Sequence, residues 1–271
     1  MTERTRADLE RRLANRAPSN IEPEDWSFAA VAVDFLASIQ MRDRSATTEL
    51  FDDFNTYQVY VEAETPWVLN KGSDGACADP VIAADKGGIV RLVSAAAAAM
   101  TVATDGSQIV GKNPVSANMG GLVFEARLRI AAAVTNAQIC VGLTDITTLE
   151  MPASVNGVAI TTNFSDGCVF VYDTTATTDQ WYCVGVAADW DAAGNGITGV
   201  VPTAAVYQVL RIEIDDHDNA RFYIDGSLVK TLTANAVTIA TSLYPTVVIT
   251  GNSAAKTVDV DYILVRAGRA G

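Results

Sequence analysis

The stretch from Gln208 to Leu232, QVLRIEIDDHDNARFYIDGSLVKTL, constrains the fold more than any other part of this chain. Leu210, Ile212 and Ile214 fall on one face of an extended segment, and Arg211, Glu213 and Asp215 fall on the other. This period of two is the mark of a strand with one buried side. The polar run Asp215-Asp216-His217-Asp218-Asn219 reads as a turn into a second strand, and Asp225-Gly226 as a second, tighter turn. Asp-Gly between apolar runs signals a hairpin, because a primed two-residue turn needs positive φ. The segment therefore predicts an antiparallel meander with a solvated outer face. It also carries the single histidine and the densest group of acids, so acid–base chemistry has to be sought here first.

The same punctuation recurs from about residue 50 onward. Strand signals stand at Gln58–Ala63, Ile89–Val93, Leu122–Ile130, Gln138–Leu143, Val158–Ile160, Cys168–Tyr172, Tyr182–Val186, Thr246–Ile249 and Thr257–Val265, separated by Gly, Asn, Asp, Ser and Thr. Many short strands without intervening helices imply a sandwich or barrel. Ser94–Met100 is helix-prone in composition, but its strand-like neighbours favour strand. Outward Glu125, Arg127 and Arg129 are expected to pair across strands with Arg211, Glu213 or Asp215. Such exposed pairs contribute only ~0–1 kcal/mol each.

The first fifty residues differ in character. Residues 1–20 are helix-prone and carry Arg4, Arg6, Arg11, Arg12 and Arg16, with Leu9 and Leu13 as the large apolar residues. Pro23 with Glu24 and Asp25 starts a second amphipathic run, Trp26 to Gln40, in which Trp26 and Phe35 lie near two apolar stripes. A helix apolar over so much of its surface needs a cover, either its own domain or a neighbouring subunit. The expected organisation is an N-terminal helical anchoring arm over 1–49 and a β-sandwich over 50–271.

Composition narrows the function. The net charge is −13, and residues 46–271 hold 12 basic and 24 acidic side chains, which argues against nucleic acid as a partner. The apolar runs at 28–39 and 92–102 are too short or too interrupted to span a bilayer, and residues 1–20 contain no apolar secretion segment. No membrane association and synthesis in a cytoplasm are expected. Four cysteines without a CxxC pair, beside one histidine, disfavour zinc. Cys140 and Cys183 read as core residues and Cys77 as a loop residue, with a Cys168–Cys183 disulfide as a weaker alternative.

FDDF at Phe51–Phe54, GGLVFEARLRI at Gly120–Ile130, NAQICVGLTD at Asn136–Asp145, VLRIEIDDHDNARFYIDG at Val209–Gly226 and VDYILVR at Val260–Arg266 follow one another in an order that points to a family. The chain resembles the concanavalin A-like lectin/glucanase sandwich, in the laminin-G-like form of bacteriophage virion structural and decoration proteins. The resemblance covers roughly residues 50–266. It implies an all-β, two-sheet antiparallel jelly roll displayed on a virion surface. A capsid decoration protein is the first expectation, docked on the major capsid protein or other virion proteins through Leu9, Leu13, Arg11, Arg12, Trp26 and Phe35, and assembling as a homo-oligomer. The alternative is a tail fibre or spike domain that recognises a host glycan.

Related glucanases carry E-x-D-x-x-E on one strand. Here Glu213 and Asp215 have that spacing with Asp218 in the third place, but Asp215–Asn219 favours a turn. The expectation is a non-enzymatic chain with no catalytic residues and no cofactor. Asp215, Asp216, Asp218 and Asn219, or Asp189, Asp191 and Asn195, offer oxygen ligands to calcium, but neither set has EF-hand spacing, so solvated loops are expected instead. For a glycan, the aromatic candidates are Trp181, Tyr182 and Trp190, with Tyr172 nearby in sequence.

Overall fold

Nineteen strands, assigned in a computed structural model, account for most of the described residues, which are 47–54, 65–83, 88–97 and 101–268. They are β1 (Thr47–Asp52), β2 (Trp67–Lys71), β3 (Ala78–Ala83), β4 (Ile89–Val93), β5 (Ala96–Ala97), β6 (Ser107–Gly111), β7 (Leu122–Ile130), β8 (Ala137–Thr144), β9 (Ala153–Asn156) and β10 (Ala159–Thr162). There follow β11 (Gly167–Asp173), β12 (Trp181–Ala187), β13 (Trp190–Asp191), β14 (Gly196–Ile197), β15 (Gln208–Ile214), β16 (Ala220–Ile224), β17 (Ser227–Leu232), β18 (Tyr244–Asn252) and β19 (Thr257–Gly268). A single helical turn, Val102–Asp105, precedes β6. The expected arm, with Leu9, Leu13, Arg11, Arg12, Trp26 and Phe35, lies outside the described residues, as does the strand expected at Gln58–Ala63.

Two sheets form an antiparallel sandwich. The first runs β17-β16-β15-β7-β19-β4-β3, with β1 also on β19; the second runs β13-β12-β11-β8-β18-β6-β2, with β14 on β12 and β5 on β18. The Gln208–Leu232 meander is the β15-β16-β17 end of the first sheet, and its burial alternates as the sequence requires. The Asp225-Gly226 turn has φ of 50° and 78°, the primed geometry.

The sheets meet over one core. Leu122, Phe124, Ala126, Leu128 and Ile130 of β7 and Leu210, Ile212 and Ile214 of β15 point inward against Ile139, Val141, Phe170 and Trp181 of the second sheet. Phe170 meets Phe222 edge-on, with centroids 5.2 Å apart. The Trp181 indole donates to Gln208 Oε1 at 3.0 Å, satisfying its buried N–H.

The two sheets differ on their outer faces, and this explains their different sequences. The first sheet shows its outer face to water, so β7 and β15 alternate. The second is covered by the β9–β10 hairpin: Met151, Ala153 and Val155 pack on Cys140, Val169, Val171, Tyr182, Val184 and Val186. With both faces buried, β8 and β11 are buried at every residue and β12 at all but its last, Ala187, and they read as unbroken apolar runs. Asp173 anchors the cover: its carboxylate accepts from the Val155 N–H (2.9 Å), Gln138 Nε2 (2.7 Å) and the Thr175 N–H (2.9 Å).

Several expectations change. All four cysteines are free. Cys168 stands opposite Gly185 and Cys183 opposite Phe170, so the two thiols are diagonal neighbours rather than a cross-strand pair. Cys77 lies in a loop before β3, as expected, but is buried there; its thiol contacts the Thr104 carbonyl. The strand expected to start at Val158 starts at Ala159, and Val158 is an exposed residue at the tip of the β9–β10 hairpin. Of Ser94–Met100, only Ala96–Ala97 is assigned to strand among the described residues. Arg211 reaches Glu125 at 3.9 Å, but Arg127 and Arg129 turn the other way, to Asp261 and Asp259 on β19. The cause is topological: β7 lies between β15 and β19, and β19 offers the nearer acids.

Candidate functional site

Three loops converge at one end of the sandwich. The first is the β12–β13 hairpin. Its two turn residues, Ala188 and Asp189, both have positive φ (51° and 67°), which forces a tight reversal and pairs Ala187 with Trp190. Left-handed backbone at alanine is disfavoured by ~1–2 kcal/mol and persists only where the surroundings enforce it. They do so here: Asp166 Oδ1 accepts from the Ala188 N–H at 3.3 Å, and the Ser165 carbonyl accepts from the Asp189 N–H at 3.0 Å. The hairpin presents Trp190 to solvent with 77% of its surface exposed.

The second loop is the β15–β16 turn. The Asp215 carboxylate accepts from the backbone N–H of His217 (2.9 Å) and of Asn219 (3.0 Å), and from Asn219 Nδ2. Partial burial opposes its ionisation, but the hydrogen bonds from Asn219 and His217 outweigh that and hold the carboxyl below its ordinary pKa. His217 Nδ1 lies 2.6 Å from Asp216 Oδ1. The third loop follows β17. Ala234 and Asn235 have φ of 65° and 56°, and their segment is tied to the second loop by Ala234 N–H to Asn219 Oδ1 (3.1 Å) and Ala236 N–H to the Asp218 carbonyl (3.0 Å). Asp166 Oδ1 also accepts from the Thr238 N–H at 2.7 Å, so one carboxylate braces the first loop against the third.

Between the loops lies a cleft of about 550 Å³ lined by Ala187, Ala188, Trp190, Asp216, His217, Asp218, Asn235, Val237, Thr238 and Ile239. Its size falls in the range of small-ligand sites. An exposed indole stands among carboxylates, an amide and a hydroxyl. Five of the ten described non-glycine residues with positive φ lie in the three loops: Ala188, Asp189, Asp218, Ala234 and Asn235. Backbone strain of this kind gathers where a geometry is being held for use.

The structure divides the aromatic candidates. Trp190 lines the cleft. Trp181 is fully buried in the core between the sheets, and Tyr182 is 4% exposed beneath the β9–β10 cover, so neither presents a face to a glycan. Alternation along β12 sends one inward and the other outward, and both faces happen to be covered. Tyr172 is also fully buried. Of the calcium candidates, Asp215 and Asp216 bring donor atoms within 4.8 Å of each other and of His217, which was not one of them, with Asp215 occupied by its own turn. Asn195 is engaged by the backbone of β12. It bonds Gly185 through both side-chain atoms, Oδ1 accepting at 2.7 Å and Nδ2 donating at 3.0 Å, in place of a strand neighbour.

A second surface, which the sequence reading did not single out as a site, lies on the outer face of the first sheet. A groove of about 480 Å³ is lined by Glu125, Val209, Arg211, Glu213, Tyr223, Asp225 and Gly226. Arg211 sits between Glu213 (2.5 Å) and Glu125 (3.9 Å). Each carboxylate also accepts a tyrosine O–H, Glu125 from Tyr262 at 2.7 Å and Glu213 from Tyr223 at 3.2 Å. Burial and the bond to Glu125 push the Tyr262 phenol up. The outward alternation of β7 and β15 signalled these residues, but not that two carboxylates would share one guanidinium.

The chain matches no protein-family model and no curated protein sequence. It is similar in fold to solved structures. The carbohydrate recognition domain of Emp47p aligns at 12% identity and a TM-score of 0.54, covering 84% of this chain and 99% of that one. A Bacillus licheniformis β-glucanase aligns at 11% identity and a TM-score of 0.54, over 80% of this chain and 97% of its own. A native glycosidic hydrolase aligns at 12% identity and a TM-score of 0.54, over 80% and 95%. The architecture is thus the lectin and glucanase jelly roll. These likenesses overturn the expectation of a non-enzymatic chain: the sandwich is shared with a glucanase and a glycosidic hydrolase, so it gives no ground for setting enzymes aside.

Proposed function

We propose that this sandwich is a carbohydrate-binding domain whose sugar site is the Trp190 cleft. The observation that carries the reading is the placement of Trp190. A tryptophan 77% exposed at the wall of a ligand-sized cleft has no packing role to explain it. A pyranose ring lays its C–H face on an indole and turns its hydroxyls outward, toward hydrogen-bonding groups. Asp216, Asp218, Asn235 and Thr238 line the same cleft and supply them. The strained hairpin and the Asp166 brace keep the platform in place before a ligand arrives, which lowers the ordering cost of binding. The fold shared with a carbohydrate recognition domain supports the same reading.

Titration of the full chain against a panel of neutral and charged oligosaccharides tests it. At least one should bind, and Trp190→Ala should remove that binding while leaving the unfolding free energy within about 0.5 kcal/mol, as expected for an exposed side chain. Binding that survives Trp190→Ala, or a panel with no ligand at all, would end the proposal.

The narrower setting, a virion surface reached through the arm, rests on the sequence resemblance alone; none of the structures compared above concerns a phage protein. Removing residues 1–45 tests it. Particle binding should be lost while the sandwich stays folded, and a truncated chain that still decorates particles would refute it.

A further inference from the structure

The acids of the Trp190 cleft differ from the other acids that build this protein's surfaces. On the outer face of the first sheet the carboxylates are matched by arginines: Asp259 by Arg91 and Arg129, Asp261 by Arg127, Glu213 by Arg211. Asp166 and Asp173 are satisfied by backbone amides. The acids of the cleft are compensated less. Neither lysine nor arginine lines it, Asp218 has no side-chain partner among the described residues, and the partner of Asp216 is the adjacent His217. Two carboxylates therefore face the same space as an exposed indole, in a chain of net charge −13.

That combination selects among sugars by charge. A carboxylate-bearing sugar such as a uronic acid would bring a like charge beside Asp216 and Asp218, where neither lysine nor arginine is present and the one basic side chain, His217, already faces Asp216 at 2.6 Å, and like charges in such a site repel. A neutral sugar would use the carboxylates as acceptors only. A sugar with an ammonium group would use every feature: hydrogen bonds from N–H to carboxylate are the stronger, charge-assisted kind, and an indole face attracts a cation. We infer that the Trp190 cleft takes a cationic amino sugar, of the 2-amino-2-deoxyhexose class, in preference to its N-acetylated or acidic counterparts. The inference rests on the proposed role of the cleft as a sugar site and adds the chemical class of the ligand.

The experiment compares three probes on the full chain at about pH 6, below the pKa of an aliphatic amine. They are a glucosamine oligomer, the N-acetylglucosamine oligomer of the same length, and an oligogalacturonate. The glucosamine oligomer should bind about tenfold more tightly than the N-acetylated one, a difference of about 1.4 kcal/mol, and the oligogalacturonate should not bind. The preference should shrink as salt is raised. The double variant D216N/D218N should bring the two hexosamine oligomers to equal affinity. That variant moves the net charge only from −13 to −11 (two carboxylates removed), so general attraction of a polycation is retained and only the local contribution is lost.

Equal affinity of the wild-type chain for both hexosamine oligomers, or a preference unchanged in D216N/D218N, would overturn the charge inference. In either case, binding that still depends on Trp190 would leave the sugar-site reading standing. Failure of all three probes to bind would overturn the inference, and the wider panel would then decide the sugar-site reading separately.

Discussion

Asp166 and Thr238 are 72 residues apart in sequence, and the carboxylate of the first accepts the backbone N–H of the second at 2.7 Å. The same oxygen receives Ala188 N–H from the strained hairpin at 3.3 Å. Asp166 is 7% exposed, so water does not readily replace it. Asp166→Ala should cost about 2–3 kcal/mol, since a bond to a charged acceptor contributes ~1.5–3 kcal/mol and two donors lose their acceptor. Asp166→Asn keeps one acceptor oxygen and should recover about half. Urea melts measure the stability. Glycan affinity should fall with Asp166→Ala even where the protein remains folded, because the platform loses its brace; unchanged affinity would separate the brace from binding.

Asp259 gives a pH dependence. Its side chain is fully buried and accepts from Arg91 (2.6 and 3.0 Å) and Arg129 (3.0 Å). Burial raises its pKa, but the hydrogen bonds and charges of the two arginines outweigh that and hold it below the ordinary value. A depressed folded-state pKa means that the unfolded chain takes up its proton first as the pH falls. The stabilisation is therefore complete above the unfolded value of about 3.9 and is lost below it, as pH approaches the folded value. Stability measured from about pH 5 downward should fall more steeply for the wild type than for Asp259→Asn. Parallel curves would show that Asp259 does not contribute. Asp259→Ala, which leaves two arginines without this partner, should cost about 3 kcal/mol; the side chains of Arg91 and Arg129 are 38% and 25% exposed, which places the loss at the low end for a broken buried pair.

The thiols provide a check on the sheet register. Burial pushes the Cys140, Cys168 and Cys183 thiols far above the ordinary range, so little thiolate forms in the folded protein. Iodoacetamide at about pH 8 should leave these three unmodified in the native state, since only the thiolate attacks. Unfolding without a reductant should expose four reactive thiols, read as four adducts by mass spectrometry. Two adducts would instead reveal a disulfide and a register different from Cys168 opposite Gly185.

The legibility of this molecule in its sequence followed exposure. The first sheet wets one face, so β7 and β15 announced their period, their inward residues and their turns. The second sheet is buried on both faces, so β12 offered no alternation to tell Trp181 from Tyr182, and both looked as available as Trp190. Trp190 is set apart by the Ala188-Asp189 turn, which lacks the glycine that usually marks a primed hairpin and so left little trace in the sequence. The cleft itself joins residues near 188, 217 and 237, and such a meeting is a property of topology rather than of any local pattern. Glu125 and Glu213 were read correctly as outward, but the sharing of Arg211 depended on β7 and β15 being neighbours in a fixed register.

Gly142 and Gly199 offer a last test, of how closely the second sheet is packed. Both have positive φ, 155° and 81°. A Cβ on Gly199 would meet nothing within 4 Å, so Gly199→Ala should cost only the backbone strain, about 1–2 kcal/mol. A Cβ on Gly142 would lie 2.3 Å from the Cys168 carbonyl oxygen, 2.8 Å from Val169 Cα and 3.0 Å from Ile212 Cδ1. The first two are backbone atoms of β11, the strand paired with β8, and they move only if that ladder opens. The sheet at this point is covered on both sides, so it has no slack to take up the change. Gly142→Ala should add overpacking of about 1–3 kcal/mol to the conformational cost, and lose more than Gly199→Ala by about that amount. Urea midpoints for the two variants measured side by side decide the matter. Equal losses would mean that β8 and β11 are not in the register that places Gly142 against Val169.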